Sequence, residues 1–201
     1  MAKYRFSYTK VPNETKGFYG ERTVDVGIDA AQRDGYTGRI LHNIYVPKGQ
    51  GKYTEIDVLY ITKKGIFVFE SKNVTGWIFG DGESTYWTLS APSGEKHKLY
   101  NPILQNQGHI RHLSKNISQS IPFFSVIAFS NLCQIKKMSK VPANTYMVHY
   151  REIPIVIQQV WESHADIMSD EQVAELFNEL VILRSRDINM INAHIQSVRN
   201  F

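Results

Sequence analysis

The chain has 201 residues, 23 Lys and Arg against 19 Asp and Glu, a formal net charge of +4, and 42% hydrophobic residues. That is material for one ordinary domain with a buried core, and it excludes a disordered chain or a strong polyelectrolyte. A single cysteine, Cys133, excludes a disulfide framework and a cysteine-rich zinc module, and no run of about 18 apolar residues is present to cross a membrane.

Residues 1–16 read as an irregular leader without an apolar signal core, so a soluble, cytoplasmic protein is expected. Residues 17–33 read as a helix with Phe18, Val24 and Ile28 on a partial apolar stripe. Glu21 falls in its first turn, where the plain role of an acid is to complement the helix N-terminus. Gly35 and Gly38 punctuate, residues 40–46 form a first strand stopped by Pro47, and Lys48-Gly49-Gln50-Gly51-Lys52 reads as a solvated basic loop.

Two apolar strands follow, Ile56-Asp57-Val58-Leu59-Tyr60-Ile61 and Ile66-Phe67-Val68-Phe69-Glu70-Ser71-Lys72, around Thr62-Lys63-Lys64-Gly65. A tight turn centred between Lys63 and Lys64 pairs Ile61 with Ile66, Leu59 with Val68, Asp57 with Glu70 and Glu55 with Lys72. Strict alternation puts Leu59, Ile61, Ile66 and Val68 on the face that carries Asp57, Glu70 and Lys72, and Ile56, Val58, Tyr60, Phe67 and Phe69 on the other. Both faces are apolar near the turn, which predicts helices covering the sheet on both sides. Opposed like charges destabilise a sheet, so Asp57 facing Glu70 is a local conflict that a hard divalent cation resolves. Lys72 beside them suits orientation of an attacking water. The plain alternative is a Lys72–Glu55 cross-strand ion pair, with Asp57 reaching solvent at a sheet end.

Residues 76–80 and 86–89 read as a second hairpin around Asp81-Gly82. Its aromatics Trp77, Phe79, Tyr86 and Trp87 suit stacking on bases, worth about 1–3 kcal/mol each, but cross-strand packing is the preferred reading. Residues 95–98 read as a polar loop. Asn101 caps a helix launched by Pro102 and running to about Ser118. Gln105, His109 and His112 share one face of it; the histidines read as surface residues, not metal ligands. Residues 123–129 form a buried strand that completes the central sheet, with Cys133 an inert buried thiol beyond it. Shorter strands at 145–149 and 153–157, a helix at 170–183 capped by Ser169, and a last helix at 189–198 read as packing elements. There are no repeats, glycine-rich phosphate loop or heptads.

The Asp, hairpin and Glu-Ser-Lys series resembles the PD-(D/E)XK nuclease signature. Its flanking words are similar to the blocks of the nuclease-related domain (NERD) family: Gly20-Glu21, His42-Asn43-Ile44, Glu55-Ile56-Asp57, the run from Gly65 to Asn73, Gly76, Trp87, and Asn101-Pro102-Ile103-Leu104-Gln105-Asn106. The likeness covers about residues 17–130. One departure is Val58, where the family often has His directly after the Asp; alternation turns that position away from the acids. The resemblance implies a restriction-endonuclease-like fold, α/β/α layers around a central mixed sheet with C-terminal helices. The chain as a whole is read as a leader (1–16), a nuclease-like domain (17–150) and a strand-and-helix extension packed on it (151–201). It implies Asp57 and Glu70 as ligands of Mg²⁺ or Mn²⁺ together with the Ser71 carbonyl, Lys72 as the catalytic lysine, Glu21 as a supporting acid and Gln105 as the residue orienting the scissile phosphate. The expected activity is metal-dependent hydrolysis of phosphodiester bonds, with DNA as the polymer. The alternative is a non-catalytic nucleic-acid-binding or assembly module on the same fold; a weaker third reading is a structural charge network.

Overall fold

A computed structural model of the chain describes residues 13–183. The element order is α1 (Asn13–Arg33), β1 (Gly38–Gly49), β2 (Lys52–Thr62), β3 (Gly65–Lys72), β4 (Gly76–Phe79), β5 (Tyr86–Ser90), β6 (Lys96–Tyr100), α2 (Pro102–Leu113), β7 (Phe123–Phe129), β8 (Cys133–Lys137), β9 (Thr145–His149), α3 (Ile153–Ser163) and α4 (Asp170–Val181). The predicted last helix, 189–198, and residues 1–12 of the predicted leader lie outside the described residues. Among the described residues no helix is long and apolar enough to cross a membrane.

The central sheet has the order β1-β2-β3-β7-β9. Its antiparallel half is a meander, and β3, β7 and β9 run parallel. The β2–β3 hairpin has the predicted turn: Ile61 opposes Ile66, Leu59 opposes Val68, and Thr62 opposes Gly65 across Lys63-Lys64. Gly65 is required there, since its φ is 138° and a Cβ would sit 2.5 Å from the Pro122 carbonyl oxygen. Parallel strands need cover on both faces, and the chain supplies it. Val24, Ile28 and Ala31 of α1 and Ile153, Val156, Ile157 and Val160 of α3 bury Val58, Tyr60, Phe67, Phe69, Phe124 and Val126. On the other face Leu113 of α2 and Val173, Leu176 and Leu180 of α4 bury Leu41, Leu59, Ile61, Ile66 and Val68. The molecule is thus a mixed α/β fold with helices layered on both sides of a central mixed sheet.

Several local expectations are corrected. The first helix starts at Asn13, so Glu21 sits two turns inside it and no longer serves as a first-turn acid. β1 continues through Pro47 to Gly49; it is an edge strand, where a missing N–H is tolerated. The basic loop shrinks to Gln50-Gly51, whose φ values of 53° and 68° suit a type I′ hairpin. Residues 153–157, predicted as a strand, open α3: Ile153, Val156, Ile157 and Val160 recur at helical spacing and a proline occupies its first turn. Of residues 95–98, predicted as a polar loop, all but the first belong to the edge strand β6 (Lys96–Tyr100).

The side-chain alternation of β2 also breaks. Ile56 packs with Leu59 and Ile61 instead of with Val58 and Tyr60. On β1, Leu41 and Ile44 likewise share a face despite their odd spacing. The cause lies between them: Asn43 has φ 52°, and the ladder skips the Asn43–Asp57 step while keeping His42 opposite Val58 and Ile44 opposite Ile56. Asn tolerates the left-handed region better than most residues. Both strands therefore exchange faces at Asp57.

The second sheet, β6-β5-β4-β8, leaves the end of β3. Ile78, Trp87 and Cys133 from it pack with Ile103 of α2 and Ile127 and Phe129 of β7. Asn101 caps α2 as predicted, its side chain accepting from the Ile103 and Leu104 N–H groups while its amide donates to the Asp81 and Ser84 carbonyls.

Candidate functional site

Three charged groups lie at the C-terminal end of β3, where the small sheet departs. Glu70 follows Val68 on the face covered by α2 and is buried. Its Oε1 is 2.6 Å from the Lys72 ammonium and its Oε2 is 3.1 Å from His109 Nε2. The Gln105 Oε1 accepts from Lys72 at 3.1 Å. On the far side of the imidazole, Nδ1 is 2.7 Å from Thr54 Oγ1, a contact made possible by the exchange of faces in β2. Burial pushes the Glu70 carboxyl up, but Lys72 and His109 outweigh it and hold the group below its ordinary value. Burial lowers the Lys72 ammonium, while Glu70 and Asp57 raise it further, so it stays charged.

Asp57 lies one step past the last regular β2–β3 pair, Val58 opposite Phe69. Its Oδ2 accepts from the Ser71 N–H at 3.1 Å. Burial and the neighbouring Glu70 carboxylate push the Asp57 carboxyl well above its ordinary range, against the opposing pull of the Ser71 N–H and Lys72. Glu21 adds to that repulsion, and its own carboxyl is raised by burial, Glu55 and Asp25. The helix reaches this point because of Gly20. A Cβ there would lie 2.4 Å from Ser71 Oγ and 2.9 Å from the Tyr150 hydroxyl. Those two hydroxyls hydrogen-bond at 2.8 Å, and burial pushes the Tyr150 phenol up to about 12. Glu55 accepts from the Tyr45 hydroxyl at 3.0 Å, while Lys72, for which it was the rival partner, rests on Glu70.

The structure thus gathers Asp57, Glu70, Ser71, Lys72 and Gln105 at one strand end, with Glu21 close enough to shift Asp57. Among the described residues no group of three His, Cys, Asp or Glu side chains forms a ready-made metal cage. The donor chemistry still fits a hard cation that keeps its waters and takes one or two carboxylates. Asp57 is held in a repulsive position that a cation would relieve, and each Glu70 oxygen retains a further lone-pair site beyond its bond to Lys72 or His109.

His109 departs from the sequence expectation: it is buried between Glu70 and Thr54, not on the surface. A signal was available in the spacing. Ile103, Asn106, His109 and Leu113 form the inner stripe of α2, so a histidine on it needs buried partners. Asn106 on the same stripe donates to the Val68 carbonyl and to Ser125 Oγ, fixing the helix over β3 and β7. His112 is half-buried, its imidazole lowered by that burial and by nearby cations such as Arg111 and Lys115. Of the hairpin aromatics, Trp87 is core, while Trp77, Phe79 and Tyr86 are exposed.

The nuclease-related domain model matches residues 16–130, the span that contains every one of these site residues. An uncharacterized protein of Bacillus anthracis is 27% identical over 186 residues, 92% of this chain and 84% of that protein. No solved structure matches the chain.

Proposed function

Because the chain belongs to the nuclease-related domain family, we propose that it is a metal-dependent nuclease that hydrolyses phosphodiester bonds in DNA in the cytoplasm. The observation that carries the reading is the buried Glu70, held by Lys72 at 2.6 Å beside an Asp57 carboxyl that its neighbours repel. A purely structural ion pair has no use for the second acid.

Asp57, Glu70 and the Ser71 carbonyl would hold Mg²⁺ or Mn²⁺, with Glu21 supporting its water shell. Such a cation lowers the pKa of a water and neutralises charge on a phosphoryl oxygen. Lys72 stays protonated, so it does not act as the base. Two of its three N–H groups are taken by Glu70 and Gln105, which leaves the third to orient the attacking water or bind the oxyanion of the transition state. Gln105 fixes that ammonium and presents its amide N–H₂ to the scissile phosphate. The Ser71 N–H holds one Asp57 oxygen, directing the other toward the reacting groups.

The test is cleavage of single-stranded, duplex and nicked DNA, and of RNA, with Mg²⁺ or Mn²⁺. Asp57→Asn and Lys72→Ala are each expected to lower the rate by about 100-fold or more. Unchanged cleavage in both variants would overturn the assignment. Mn²⁺ should raise the melting temperature of the wild type by linkage and leave Asp57→Asn unmoved. Nucleic-acid binding without cleavage under any of these conditions would support the binding-module reading instead.

A further inference from the structure

We propose that the outer face of the β6-β5-β4-β8 sheet is a stacking platform for a single-stranded stretch of nucleic acid, leading the strand to the site at the end of β3. The inference deepens the nuclease reading and rests on it for the link to the site.

The inner face of this sheet is spent on the core through Ile78, Trp87 and Cys133. The outer face shows Trp77 at 49%, Phe79 at 37%, Tyr86 at 55% and Tyr100 at 46% exposure. Large rings are costly to leave in water, and this sheet leaves four on one side. Trp77 and Phe79 stand two residues apart on β4. Tyr86 lies two residues before Thr88, the partner of Phe79, and pairs with Tyr100. A two-residue strand step is roughly 7 Å. Alternating a ring with each base needs about twice the 3.4 Å spacing of stacked bases along one strand, so the two repeats match.

The charge complements a phosphate backbone. The four strands carry Lys96, Lys98, Lys136 and Lys137 and no Asp or Glu. Acids at the rim are already engaged: Glu83 with Lys140, Glu95 with His97, and Asp81 with the Ser84 hydroxyl and backbone. Lys136 lies 5.3 Å over the Trp77 ring and Lys98 5.7 Å over Tyr86. An exposed cation–π contact is weaker than base stacking, so a base displaces the ammonium, whose flexible stem then reaches a phosphate. A second copy of this chain would bring lysines against lysines, which disfavours self-association through the same face. Placement also fits: Lys72 and Gly76 are joined by only Asn73-Val74-Thr75, and the Ser130 N–H and Gly76 N–H bonds to Lys72 and Leu132 carbonyls tie the junction.

The experiment is fluorescence anisotropy of labelled oligothymidylate and oligouridylate with the full chain in EDTA, where nothing is cut. Trp77→Ala and Tyr86→Ala should each weaken single-strand binding about tenfold, while Trp77→Phe keeps most of it. Lys98→Ala should reduce the salt slope by about 0.7. Melting temperatures within about 2 °C of wild type would show that these exposed positions leave the fold intact. Tight binding of only one polymer identifies the source of the strand and supports the platform. Absence of single-strand binding by the wild type, wild-type binding by a variant carrying both Trp77→Ala and Tyr86→Ala, or capture of polyglutamate in place of oligonucleotide would each overturn it. Wild-type cleavage with Mg²⁺ or Mn²⁺ separates the two readings: binding that depends on the rings with no cleavage by the wild type sinks the nuclease and leaves the platform standing.

Discussion

His109 shows how much of the site's order rests on one side chain. It is the only hydrogen-bond link among the described contacts between Thr54 on β2 and Glu70 on β3. His109→Ala leaves a buried carboxylate oxygen and a buried hydroxyl without their partner, and an unsatisfied buried group costs about 1–3 kcal/mol. Urea unfolding should show a loss of that size, and a change under about 0.5 kcal/mol would contradict the buried bridge. The three charges of the hairpin were legible in the sequence because they break an apolar pattern: Asp57, Glu70 and Lys72 stand where Val or Ile would be expected. His109 breaks no such pattern. A histidine on a mixed helix face fits either surface or interior, and only the stripe it shares with Ile103 and Leu113 decides.

At the scale of elements, the approach of α1 to β3 depends on Gly20. Alanine is the better helix former by about 1 kcal/mol, so Gly20→Ala would stabilise an isolated helix. Here the added methyl meets Ser71 Oγ and the Tyr150 hydroxyl, and overpacking costs about 1–3 kcal/mol. The expected result in a thermal melt is net destabilisation together with weaker Mn²⁺ binding, since Ser71 and Glu21 are both displaced; a more stable variant would refute the close approach. The β4–β5 turn carries a pH signature. The Ser84 hydroxyl, then the Ser84 and Glu83 N–H groups, hold the Asp81 carboxyl down at about 2, against an ordinary 3.8. A depressed carboxyl contributes stability above its unfolded value and loses it as pH falls toward the folded one. Asp81→Ala should therefore melt lower than wild type at pH 7, with the gap narrowing between pH 3.8 and about 2 in calorimetric scans. Strand and helix positions were readable wherever length and period agreed, as in β3, β7 and α4. They failed where both were ambiguous: the run at Ile153 is short and β-branched, and its helical phase emerges only over Val156 and Val160. The change of face at Asp57 was not readable, because it depends on one backbone angle at Asn43 on the neighbouring strand.

Across the whole molecule, the two sheets are joined through one shared core. Trp87 and Cys133 from the small sheet pack with Phe129 and Ile127 from the large one, so neither sheet should open alone. Cys133 is the chain's one cysteine and its thiol is pushed up to about 11 by burial. Labelling by a thiol reagent at pH 8 should be negligible in the native protein and should appear along the urea transition, coincident with loss of far-UV circular dichroism. Reaction well before that transition would mean that the small sheet unfolds independently. The layered architecture was legible from the doubly apolar hairpin, since strands greasy on both faces demand two layers of helix. The second sheet's attachment was not, because Trp77 and Trp87 look alike in a string of aromatics until the register sends one outward and the other into the core.

The parallel pairing of β3 with β7 also sets an order of events during synthesis. Ile66 pairs with Phe123, and between them the chain must lay down the entire β4-β5-β6 hairpin system and α2. A ribosome therefore delivers Asp57, Glu70 and Lys72 long before Gln105, His109 and the strand that flanks β3. Pairing across such a separation is slow because the loop must close before its contacts repay it. Until then the hairpin lacks the cover of α2 and the flanking β7, and Lys72 lacks its Gln105 partner. The nascent chain carries all three charges of the hairpin but none of the enclosure that buries them, so the cluster is complete only when the later half of the domain docks.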